Sequence, residues 1–132
     1  MTRLRNLKVA FLAIFCLVPA AQAHWAYPNA LTKADIEAKI IGNTMSGTID
    51  GVNFAEYYLP DGTLHGVDSD KSAYTGRWSI RKDDAMCWAY APSYETAGCV
   101  LLVLDGDKVT LQKISGDVEG VVTLSPGNAK KL

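Results

Sequence analysis

The sequence has 132 residues, 48% of them hydrophobic and 20% charged, enough for one small domain and too few for two. A formal charge of −1 supplies no basic field for nucleic acid. The near-average composition excludes a disordered or low-complexity chain.

Residues 1–23 read as a secretory signal. Arg3, Arg5 and Lys8 precede the apolar run Val9 to Ala21, and Ala21-Gln22-Ala23 places small residues at the cleavage positions. The run is shorter than the roughly 20 residues that cross a bilayer. Cys16 lies inside it behind Phe15, where lipid attachment wants a small residue. The expected product starts at His24 and is periplasmic or secreted, monomeric and free of the membrane. Removing 23 residues leaves 109, with ten basic against fourteen acidic side chains and a formal charge of −4. That balance favours solubility and gives no bulk attraction to membrane or nucleic acid.

The remaining chain divides into a tail, 24–31, and a single domain, 32–132. Thr32 with Asp35 three positions on signals a helix start, and Gly42 a stop, so the isoleucines 36, 40 and 41 predict one short amphipathic helix from about Lys33 to Ile41. Beyond Gly42, seven turn signals, among them Asp50-Gly51, Pro60-Asp61-Gly62 and Asp105-Gly106-Asp107, separate eight strand-length segments. These run from about Thr44 to Ile49, Asn53 to Leu59, Thr63 to Val67, Tyr74 to Arg81, Met86 to Ala91, Cys99 to Leu104, Lys108 to Ile114 and Gly120 to Leu124. Short connections make sequential neighbours antiparallel. The expected fold is therefore mainly β, an eight-stranded up-and-down meander that closes barrel-like and so removes its edges. A curled open sheet and a two-sheet sandwich are the alternatives.

Alternation assigns the faces. Tyr74, Gly76, Trp78 and Ile80 share one face, read as core, and Thr75, Arg77 and Ser79 the other. The run Cys99 to Leu104 is apolar on both sides, which predicts a cover for its outer face, with the helix as the natural candidate. Cys87 and Cys99, an even pair in an oxidising compartment, are expected to bridge adjacent strands at their opposing ends. Closing so short a loop stabilises by about 3 kcal/mol. Their spacing is neither that of a zinc site nor that of a redox pair.

A series of residues carries a resemblance: Ile41-Gly42-Asn43-Thr44, Gly47, Tyr57-Tyr58-Leu59-Pro60-Asp61-Gly62-Thr63, Gly66, Tyr74-Thr75-Gly76-Arg77-Trp78, then Cys87 and Cys99. From about Leu31 to Gly127 it resembles a group of small exported bacterial proteins of unknown function. The resemblance implies a compartment and a β-rich fold, and it transfers no catalytic residue. The glycine-x-tryptophan pair in Gly76-Arg77-Trp78 is similar to that of lipocalins and other calycin barrels, where it stands on the first strand; here it falls on the fourth. Secreted inhibitors of bacterial metalloproteases are similar in architecture, an eight-stranded barrel with one disulfide.

Catalytic chemistry finds no footing. His65 is the only internal histidine, no Gly-x-Ser-x-Gly elbow occurs, and bridged cysteines offer no nucleophile. Asp83-Asp84 and Asp105 with Asp107 fall in turn signals, where aspartate bonds the local backbone. Asp68-Ser69-Asp70 opens like a calcium loop, but Ala73 stands at the required glycine and Ser79 at the required glutamate. We therefore expect no enzyme and no cofactor. A free amino-terminal His24 with His65 would form a copper brace, imidazole being a good copper ligand; this is a second alternative.

Aromatics concentrate in the middle strands. Tyr58, Trp78 and Trp88 are the expected lining of a small apolar ligand site inside the barrel. Tyr94 and Glu95 near the bridged loop, with Trp25 of the tail, are the expected contacts for a protein partner. The leading reading is a non-enzymatic small-ligand-binding module, and a protease-inhibitor-like or other interaction domain is the alternative.

Overall fold

A computed structural model describes residues 27–132. The signal segment, His24 and Trp25 lie outside the described residues. Helix α1 (Lys33–Lys39) is followed by eight strands: β1 (Thr44–Ile49), β2 (Val52–Tyr58), β3 (Thr63–Asp68), β4 (Ala73–Ile80), β5 (Met86–Tyr90), β6 (Thr96–Asp105), β7 (Lys108–Gln112) and β8 (Val118–Ser125). Each strand pairs antiparallel with the next, and β1 pairs with β8 through Met45 opposite Leu124, which closes the barrel in the order of the sequence. No strand of the barrel is left with an open edge that could template a further strand. The β1–β2 connection shows why the chain turns where it does. Asp50 and Gly51 both adopt positive φ, 50° and 80°, the two-residue hairpin whose twist matches its strands.

The helix starts as its sequence demands. Thr32 accepts from the Asp35 N–H while the Asp35 carboxylate accepts from the Thr32 N–H, a complete capping box. It ends at Lys39, so Ile41 lies beyond it. It also sits elsewhere than expected. Ile36 and Ile40 are fully buried and join Met45, Tyr58, Met86 and Leu102 in the core, so α1 plugs one end of the barrel and does not lie on the outside of β6. The reason is tethering. Only four residues separate α1 from β1, and the Gly42 N–H donates to the Tyr58 carbonyl at the end of β2, which confines the helix to the end where β1 begins. Asp84, in the β4–β5 turn of that same end, accepts from the Lys33 N–H at 2.8 Å. Beside β6, the Leu31 N–H donates to the Leu102 carbonyl at 2.7 Å, beyond the last β5 partner, Val100.

β6 begins at Thr96, three residues before Cys99, because a register shift at Trp88/Ala89 brings Thr96 opposite Ala89. The β5–β6 connection thereby shrinks to Ala91–Glu95. Cys87 and Cys99 are disulfide-bonded and face each other directly across the ladder, inside their strands and not at their ends. The bridge closes a loop with a sequence separation of 12. Replacing both cysteines with serine is expected to lower the unfolding free energy by about 2–4 kcal/mol. Denaturant melts of the two proteins check this, and equal midpoints would refute a structural role for the bond.

Candidate functional site

The strands alternate, so β2 turns Phe54, Glu56 and Tyr58 inward, β4 turns Tyr74 inward, and β5 turns Trp88 and Tyr90 inward. Together they line a cavity of about 440 Å³, the size of a site for one small molecule. Met45, Val100 and Leu111 complete its apolar floor and walls. Ile49 and Val52, Asp68, Ala97 and Gly98, and Glu119 also border it, and each belongs to a hairpin end on the side of the barrel away from α1. The cavity therefore lies toward the end away from α1, which is open among the described residues, and the helix closes the other.

At its centre is a carboxylate that only the fold reveals. Glu56 is 4% exposed. Its Oε1 accepts from the Tyr74 hydroxyl at 2.9 Å and from the Tyr90 hydroxyl at 2.8 Å. Its Oε2 accepts from the Tyr58 hydroxyl, which in turn accepts from the indole N–H of Trp88 at 3.2 Å. Four aromatic side chains from three strands thus converge on one acid, with every buried polar side-chain atom among the described residues paired. The Tyr74 and Tyr90 rings also meet edge to face, with centroids 5.6 Å apart.

Two glycines permit this convergence. Glu56, Gly66 and Tyr74 occupy one cross-strand row, and a Cβ on Gly66 would come within 2.3 Å of the Tyr74 ring. The tyrosine reaches Glu56 by lying across the bare backbone of β3. In the neighbouring row Gly76 opposes Tyr90, and a Cβ there would approach that ring to 3.0 Å.

Burial first, and then the neighbouring Glu56, pushes the phenols of Tyr58, Tyr74 and Tyr90 well above the ordinary value of 10.0. All three remain O–H donors at physiological pH. Because the folded values are raised, the stabilisation is complete below pH 10 and is lost as the pH climbs from there toward the folded values. Unfolding midpoints are expected to fall steadily above about pH 10, and the ultraviolet phenolate signal of these three tyrosines to appear together with unfolding. Their ionisation in a protein that stays folded near pH 10 would contradict the network.

Of the residues singled out from sequence, Tyr58 and Trp88 line the cavity and touch each other. Trp78 does not line it: its indole N–H donates to the Leu59 carbonyl at 2.9 Å, toward the helix end. Tyr94 is exposed, with the Arg77 guanidinium 4.4 Å from its ring centre, and Glu95 beside it is exposed too. His65 is exposed on β3, opposite Tyr57 and Thr75. Of the aspartates in turn signals, Asp68 and Asp83 bond their local backbone, whereas the Asp84 carboxylate accepts from the Lys33 N–H at the start of the helix. Asp68 Oδ1 accepts from the backbone of Asp70 and Ser72, and Asp83 accepts from Ala85. Among the described residues no three histidine, cysteine or acidic side chains form a metal-ligand group. Glu56 and Glu119 carried no sequence motif. The signal that points to Glu56 is its place between Phe54 and Tyr58 at a spacing of two, which puts all three on one face.

These features define a class: a closed up-and-down β-barrel, plugged at one end by a helix, with an aromatic cavity built around a buried acid. No protein-family model matches the chain, and no curated protein matches it.

Proposed function

We propose that this protein is an exported, non-enzymatic carrier or sensor module that holds one small ligand inside its barrel. The observation that carries this reading is the cavity of about 440 Å³, walled by Phe54, Tyr58, Tyr74, Trp88 and Tyr90 and set toward the unplugged end. Most of its lining is apolar, and its few polar groups converge, as in sites that orient a small molecule. The phenols of the network are held protonated by burial, which suits them to binding and leaves no activated nucleophile among them. Export is supported by the amino-terminal signal pattern and by the Cys87–Cys99 disulfide, a bond that persists in oxidising compartments. Outward residues such as Thr75, Arg77 and Ser79 on β4 suit a barrel that faces water.

A dye that brightens in apolar surroundings is expected to bind the folded protein at one site per chain and to change the emission of Trp88, which lines the cavity. Trp78→Phe, outside the cavity, should leave that change in place. A dye that stays dark in the folded protein would overturn the proposal and favour a packed interior, with the exposed Tyr94 loop as the interaction surface.

A further inference from the structure

We infer that the ligand is an organic cation, an amine or quaternary ammonium with an apolar body; this inference rests on the proposed binding function and names the ligand's class. Three acids border the cavity, Glu56, Asp68 and Glu119, and among the described residues no lysine, arginine or histidine does. Glu56 stands out because it is 4% exposed and none of the ion pairs among the described residues involves it. The three phenols satisfy its oxygens as hydrogen-bond donors but bring no positive charge. A buried carboxylate without a counter-charge is costly, so an interior of this kind favours a guest that carries one.

The walls fit the same guest. Aromatic faces attract cations, most strongly where water is excluded, and the cavity offers Phe54, Tyr58, Tyr74, Trp88 and Tyr90. Phenols that donate to a carboxylate are polarised by it, which strengthens the field at their rings. Toward the mouth, Glu119 is exposed, and Asp68 uses Oδ1 for its turn while none of the side-chain hydrogen bonds among the described residues engages its Oδ2. Both carboxylates are placed to draw a cation toward the opening. A fatty acid or other anion would meet only like charge there.

Three probes with one apolar chain and different heads test this by calorimetry: octyltrimethylammonium, octanol and octanoate. The ammonium is expected to bind at least about tenfold more tightly than octanol, and octanoate most weakly of the three. Glu119→Gln with Asp68→Asn keeps the turn acceptor at position 68 and leaves the Glu56 network intact, and it should reduce the preference for the ammonium several-fold and flatten its dependence on salt. Equal binding of all three probes, or tightest binding of octanoate, would overturn the cation inference while the binding cavity stands. Failure of all three to bind would overturn the binding function itself. An undiminished ammonium preference in the double variant would overturn the role of the rim acids.

Discussion

Tyr58→Ala is expected to lower the unfolding free energy by about 5 kcal/mol, the largest loss of any single substitution considered. Tyr58 is fully buried in the core between the helical plug and the cavity. Removing a buried aromatic ring costs about 3–5 kcal/mol through lost burial and the void left behind. Its hydroxyl also joins the Trp88 indole to Glu56. Without it, a buried N–H and a carboxylate oxygen each lose a partner, which adds about 1–3 kcal/mol. Tyr58→Phe separates the two contributions. It keeps the ring, so only the second loss, about 1–3 kcal/mol, should remain. Denaturant melts of both variants decide the matter. Equal stabilities of the Tyr58→Phe variant and the wild-type protein would mean that the hydroxyl chain from Trp88 to Glu56 contributes nothing.

The second large effect is expected at a residue with no side chain. Gly66→Val should cost about 3–5 kcal/mol and should also abolish the cavity's present shape. A Cβ on Gly66 would meet two ring carbons of Tyr74 at 2.3 Å, too close for either to stay. Overpacking of this kind costs about 1–3 kcal/mol. The displaced ring takes its hydroxyl away from Glu56, and the weakened buried network accounts for the rest. Gly66→Val with Tyr74→Ala tests the cause. If the clash is the whole effect of the valine, the double variant is more stable than the sum of the two single losses predicts. Simple additivity would show that Gly66 acts through something other than Tyr74.

The residues that carried the sequence resemblance acquire a physical account from this site. Tyr58, Gly66, Tyr74 and Gly76 are separate points along the chain, and in the barrel they form two adjacent rows converging on Glu56. Gly62 has another reason, a positive φ of 90° in the β2–β3 turn. Trp78 serves the helix end through the Leu59 carbonyl, so one motif contains both a cavity tyrosine and a structural tryptophan. Their nearness in sequence, on one face of β4, did not distinguish them. Distance along the barrel axis did, since β4 runs from the open end toward the plugged one.

Local chemistry alone determined the number of strands, their antiparallel order, the start of α1 and the inward face of β4. Each depends on interactions within a few residues: turn residues that accept positive φ, a capping pair three apart, and a period of two along a strand. The pairing of Cys87 with Cys99 was equally open to inspection, because the described chain holds no other cysteine. Closure through β1 and β8, the helix at the barrel's end, the three-residue extension of β6 and the Glu56 cluster were decided only by the tertiary structure. Thr44 and Ser125 are far apart in the chain, and nothing near either one specifies the other. Glu56 reads as an ordinary strand residue until the barrel curls three tyrosines from β2, β4 and β5 around it. A carboxylate's surroundings are set by which strands face it across the interior, and that is a property of the closed sheet, not of any segment within it.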